Sequence, residues 1–167
     1  MSDRLVIELQ DAELLAAVDR AIATMQDSGP LMEDIGAKLE SNAELRFDSK
    51  TDPSGVPWAP LSPVTIETFY AEKYPGGIPG SLLERTRFLR NSLSHGAGAD
   101  FVDIGTSRAV PGRSQAEWQV GMLMETGTTR MPRRGILTAD PKTGQLGAGD
   151  EADVLAIVSG YLGAAFR

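Results

Sequence analysis

At 167 residues the chain has the length of one domain, and its lack of cysteine excludes disulfides, thiolate metal sites and cysteine nucleophiles. A net charge of −7 speaks against a sequence-independent nucleic-acid binder, which needs a basic footprint. That charge is uneven: residues 1–84 hold 15 acids and 6 bases, net −9, and residues 85–167 hold 8 acids and 10 bases, net +2. The split reads either as a solvated acidic helix or as a subunit with an acidic and a less acidic face, suited to head-to-tail association with copies of itself. The opening MSDRLVIELQD lacks the roughly 7–15-residue apolar core of a signal peptide. No run approaches the about 20 apolar residues of a membrane span, so a cytoplasmic, non-membrane protein is expected.

Leu5, Ile7 and Leu9 alternate with polar residues, which predicts a short strand with one buried face. Asp11 then serves as N-cap for a helix carrying Leu14, Leu15, Val18, Ile22 and Met25 on its buried side, ended by Ser28-Gly29-Pro30. Together these form a strand–helix arm over about residues 1–28. A second helix spans Leu31 to Phe47, with Leu31, Ile35, Leu39, Ala43 and Phe47 as its apolar stripe and an Asp34–Lys38 pair on its surface.

The segment that follows, DPSGVPWAPLSP at 52–63, cannot be a helix or an inner strand. Asp52-Pro53-Ser54-Gly55 has the composition of a β-turn. Ser62-Pro63 suits an N-cap and first helical position, opening a short helix from Val64 to Lys73 that stops near Tyr74-Pro75. After the PGGIPG connector at 75–80, Ser81 and Glu84 fit a capping box, with Leu83, Thr86, Leu89 and Leu93 turned to a core. Ala99 to Thr106 reads as a strand, Glu117 to Glu125 as helix or strand, and Arg134 to Ala139 as a short strand. A last helix, capped by Asp150, sets Val154, Ile157, Val158, Tyr161, Leu162 and Ala165 on one face. The expected fold is α+β: one domain, residues 1–167, with a small, mostly antiparallel sheet flanked by several helices and joined by long loops. Loops at 48–62, 74–80, 106–115 and 139–149 exceed the usual roughly 2–6 residues, which suits a part ordered by its neighbours.

No residue set for catalysis emerges. His95, the single histidine, is expected at a helix end before Gly96, as a capping or exposed residue. No metal site and no cofactor are expected: Asp150, Glu151 and Asp153 fit helix capping better than a cation site. Gly96-Ala97-Gly98 reads as a turn, not a nucleotide loop. Arg130, Arg133 and Arg134 flank Pro132 in a cationic loop, where a protein contact is favoured over nucleic acid. Trp118 is expected in the core. Trp58 is either a folded-back plug or a partner anchor.

The order of these pieces resembles the phage virion morphogenesis family, the tail completion proteins of Mu-like and related tailed phages. The resemblance starts in the IGAKLESNAELRF helix at 35–47. It continues through Asp52, Pro53, Gly55, Trp58, Pro60, Leu61, Ser62 and Thr65, then Leu83, Thr86, Leu89 and Ser92, and finally Pro132, Arg134 and Leu137. Two departures stand out: Arg87 occupies a position where the family pattern has Gly, and METG at 124–127 replaces a His-Gln-x-Gly pattern. The resemblance implies a structural virion protein, without catalysis or cofactor, that caps the finished tail tube and allows attachment to the capsid connector. It further implies a homo-oligomeric ring, sixfold in related tail terminators, with the tail tube protein and the head–tail connector protein as partners. The setting would be the virion, assembled in the host bacterial cytoplasm, from an active phage or a prophage. Trp58, Pro60 and Leu61 are expected to pack the 48–62 loop on the 31–47 helix. Rival readings are a head-side connector or neck component, a small carboxylate-dependent hydrolase, and a nucleic-acid module working through the arginines.

Overall fold

The computed structural model describes residues 12–74, 82–84, 87–106 and 115–165. Helix α1 runs Ala12–Gln26 and α2 Gly29–Ser49, the two separated by a two-residue break. Next come α3, Pro63–Thr65, a π-helical stretch, Ile66–Tyr70, and α4, Ala71–Lys73, which follow one another without a break. The short helix α5, Phe88–Asn91, leads into strand β1, Leu93–Ala97, and strand β2, Val102–Thr106. Helices α6, Gln115–Thr126, and α7, Ala148–Ala165, complete the chain. The strands pair antiparallel, with Leu93 opposite Thr106 and His95 opposite Ile104. The fold is therefore the expected small α+β arrangement, with its sheet reduced to one hairpin among the described residues.

Helix α2 is the spine. The hairpin packs on it from one direction and α7 from another, while α1 packs on α7. The predicted stripe explains why: Ile35, Leu39, Ala43 and Phe47 are buried, with Leu31 half-buried, at the i, i+4 spacing that keeps one helix face inward. Ala43, Phe47, Trp58, Leu89, Leu93 and Ile136 form one core cluster, edged by Leu82, Leu83, Met124 and Leu137. None of these six lies in α6 or α7, so the core sits between α2, the 52–63 loop, α5, the hairpin and the segment at Ile136. Among the described residues, no helix is long and apolar enough to cross a membrane.

Several expectations need correction. In α1 it is Ala17 and Ala21 that are buried, while Leu14, Leu15, Val18 and Ile22 are 40–52 % exposed. Helix α1 packs on α7. The predicted strand at 5–9, Asp11, the side chain of Met25 and that of Trp118 lie outside the described residues.

The predicted capping box does not form: Leu82 and Leu83 lie in a turn, Leu83 with φ +64°, and the helix begins only at Phe88. Glu84 is drawn away by Lys50 at 2.6 Å and Arg90 at 3.0 Å, so it cannot reach back to cap a helix. Leu93 lies in β1 rather than on a helix, yet it still reaches the core. Gly96 and Ala97 also belong to β1. The ambiguous stretch before Gly127 is helical, as α6.

Residues 134–139 form no strand, because the N–H groups of 136–138 donate to the Glu125 carboxylate instead of to a sheet neighbour. Helix α7 starts at Ala148, and Asp150, 2 % exposed, binds Arg46 rather than capping. Lys38 reaches Asp153 on α7 at 3.4 Å in place of the predicted Asp34 pairing.

Candidate interaction surface

The proline-rich loop after α2 is irregular in outline and tightly tied. Lys50, in the left-handed region at φ 58°, ends α2 and gives its carbonyl to the Trp58 N–H at 2.7 Å. Between them Asp52 organises a turn: its Oδ1 accepts from Ser54 N–H at 2.8 Å and Val56 N–H at 2.9 Å, and its carbonyl accepts from Gly55 N–H. Such a side-chain-to-backbone turn is what Asp offers at this position, and Gly55 supplies the φ of +79° that closes it. Pro53 is buried, its carbonyl lying where any Cβ at Gly147 would have to sit.

Trp58 is the plug of this loop. It is 6 % exposed, meets Phe47 edge-on with ring centroids 5.5 Å apart, and donates its indole N–H to Gly135 O at 2.9 Å. Burying the ring while satisfying its one donor is the arrangement in which a tryptophan gives its full apolar contribution.

Beyond Trp58 the chain is held by its carbonyls. Arg134, 4 % exposed, donates from Nε to Ala59 O at 2.7 Å and from a terminal nitrogen to Pro60 O at 3.0 Å. Burial alone pulls this guanidinium below its ordinary pKa. The expected packing of Pro60 and Leu61 is thus corrected: Pro60 is exposed and Leu61 half-buried, because Arg134 grips the backbone there instead. Ser62 then caps α3, accepting from Thr65 N–H at 3.1 Å, with Pro63 in the first turn.

A second tie lies behind the loop. Glu125, at the end of α6, accepts from the N–H groups of Ile136, Leu137 and Thr138 at 2.6–3.1 Å and from the Thr138 hydroxyl at 2.6 Å. Burial by itself raises the Glu125 carboxyl, but these hydrogen bonds outweigh it and hold the group below the usual carboxylate range. Arg133 spans the same region, donating to Glu125 O at 2.8 Å and to Thr138 O, with Asp52 at 3.4 Å. Gly127, at φ +69°, has no room for a side chain, since a Cβ would lie 2.8 Å from Arg133 N. On the far side of α2, Arg46 pairs with buried Asp150 at 2.6 Å and donates to Ile136 O at 2.7 Å.

Of the residues singled out in the sequence, the structure brings Trp58, Leu83, Leu89 and Leu137 into or against one core. Ser92, buried beside them, donates its hydroxyl to Leu89 O at 2.8 Å. Asp52, Pro53, Gly55 and Arg134 shape the loop, and Ser62 and Thr65 close its far end. Pro132 is exposed and Thr86 lies outside the described residues. Arg87 has φ +52°, which gives a physical reason for glycine in the family pattern. The cationic loop dissolves as a patch: Arg133 and Arg134 turn inward, and only Arg130 is exposed.

Sequence reading missed Glu125 and Arg46, and gave Asp150 a capping role in place of its ion pair with Arg46. Their partners lie 8 to 108 residues away, and no local spacing announces them.

Several apolar side chains stay outward on the loop and the helix start that follows it, beside the exposed Ser54 and Ser62. Val56 is 58 % and Val64 66 % exposed, with Ile66 and Pro60 also exposed. An open groove of about 540 Å³ lies between the hairpin, α6 and the 136–141 segment, lined by Leu93, Ile104, Met122 and Leu137 among others. Asp103 and Glu125 also line it, but the Glu125 carboxylate is committed to the turn at 136–138. Among the described residues, no group of three His, Cys, Asp or Glu side chains is placed to hold a metal ion.

No curated protein and no solved structure matches the chain. A family model, the phage virion morphogenesis family, matches residues 9–162. With nearly the whole sequence covered, the chain belongs to the phage virion morphogenesis family.

Proposed function

We propose that this virion assembly protein is a tail-completion factor. Copies of it form a ring at the head-proximal end of the tail tube, cap the tube and ready it for the capsid connector. Family membership gives the coarse role, structural work in building the virion. The observation that carries the finer reading is the 52–66 segment. Its interior side is locked by Trp58 and Arg134, and its outer side offers Val56, Pro60, Val64 and Ile66 to solvent. A surface ordered before contact loses little entropy on docking, which favours a shape-fitting joint over a flexible one. The acidic first half and slightly basic second half suit copies that meet head to tail.

Native mass measurement of the protein, alone and with isolated tail tubes, tests this reading. A closed oligomer, either free or on the tubes, is expected. A monomer in both samples overturns it. Raising salt to about 1 M, where exposed charge pairs are screened within roughly 3 Å, should weaken the oligomer if the charge split contributes.

A further inference from the structure

We propose that His95 is a proton-operated latch that sets how firmly the β1–β2 hairpin is held against α2. Glu33 and Glu40 stand seven residues apart on α2 and so share one face. Gly36 lies between them, and the His95 ring rests where a side chain at Gly36 would be. Glu40 Oε2 is 2.5 Å from His95 Nδ1 and also accepts the His95 main-chain N–H at 3.0 Å. Glu33 Oε1 is 3.2 Å from Nε2.

Hydrogen-bond inventory decides what this geometry means. A neutral imidazole carries one N–H, so carboxylates on both nitrogens would set one lone pair against another. Only the imidazolium donates to both. Other charges do not compensate. On α2, Lys38 is turned to Asp153; on β2, the residue opposite His95 is Ile104, and Asp103 lies beside Gly96 on the reverse face of the hairpin. The two arms differ in strength. Glu40 is only 27 % exposed and Glu33 63 %, so solvent screens the second far more.

The Glu40 hydrogen bond raises the His95 pKa above its ordinary value, burial opposes this, and Glu33 adds to it. A group raised on folding contributes fully below its unfolded pKa, and the contribution is lost as pH climbs through the folded one. The latch is therefore closed below the ordinary imidazole pKa and opens as pH climbs through the raised value of the folded protein. Because Ile104 faces His95 across the hairpin and lines the groove beside α6, opening loosens one wall of that groove.

With one histidine in the sequence, a single imidazole titration can be followed by NMR in the full chain. The midpoint is expected above the ordinary value of about 6.5. Glu40→Gln should bring it down to that value or below, and Glu33→Gln should lower it less. Amide exchange across 93–106, corrected for intrinsic rates, should rise through the midpoint in the wild type and stay flat in His95→Gln. A wild-type midpoint at or below the ordinary value, or one unmoved by Glu40→Gln, overturns the proposal. So does an unchanged pH dependence of exchange in His95→Gln. If that variant fails to fold, the two glutamate variants decide the matter through the exchange readout as well.

Discussion

The 52–63 loop and helix α1 use their apolar residues in opposite ways. The loop has almost no regular structure, yet Trp58 is sealed into the core and the backbone on either side is held by Lys50, Asp52 and Arg134. Helix α1 is regular over 15 residues, yet it buries alanines and leaves Leu14, Leu15, Val18 and Ile22 largely in solvent. Rigidity here follows from where polar groups find partners and where large side chains find cavities, not from regularity. One buried aromatic with a satisfied donor ties the loop to the core, while the large apolar side chains of α1 stay 40–52 % exposed.

The comparison can be broken most sharply at Trp58. Trp58→Ala is expected to cost about 3–5 kcal/mol, because it empties a packed site and leaves the Gly135 carbonyl without its donor. Urea unfolding gives the number, and a loss below about 1 kcal/mol would mean that the loop is not held through its core.

Glu125→Gln comes next, at about 1.5–3 kcal/mol, since a charged acceptor of several main-chain donors is replaced by a neutral one. Its pH signature has a definite sign. The carboxyl pKa is lowered on folding, so its contribution is present above the unfolded value and lost as pH falls through the folded one. Thermal unfolding of Glu125→Gln should therefore depend less on pH through that acid range than wild type.

Arg87→Gly has the opposite direction. Relief of a left-handed residue costing about 1–2 kcal/mol offsets the roughly 0.4–1 kcal/mol lost to a freer unfolded chain, leaving a net gain between zero and about 1.6 kcal/mol. A fall in the unfolding midpoint would show that the arginine side chain contributes more than its backbone strain removes. Smallest of all, Leu15→Ala on the exposed face of α1 should stay within about 0.5 kcal/mol of wild type in the isolated protein, in contrast to the Trp58 change.

Much of this was legible in the residues. The α2 stripe, the Asp52–Gly55 turn, the Ser62-Pro63 helix start and the β2 strand follow from local rules, and the structure has all four. What local rules could not give was the identity of covering surfaces. The spacing of Leu14, Val18 and Ile22 says that α1 has an apolar face, but not that Ala17 and Ala21 are the side chains it buries. Ser81-Leu82-Leu83-Glu84 matched a capping box in letters, while the competing cations Lys50 and Arg90 came from elsewhere in the fold. His95 was placed on a helix end because the Glu33–Gly36–Glu40 berth lies at least 55 residues away in sequence. Arg134 and Leu137 were singled out by resemblance, and the structure supplies their mechanics: one binds loop carbonyls, the other edges the core.

The central claim is that the 52–66 segment is a ready-made docking surface, stable without its partner and needed for assembly. The most direct test pairs two readouts on Val64→Asp, which places a charge on the exposed rim without touching the core. The account predicts an unfolding temperature equal to wild type together with a failure to join heads to tails when the variant replaces the normal copy. Wild-type unfolding combined with normal yields of complete particles would contradict it.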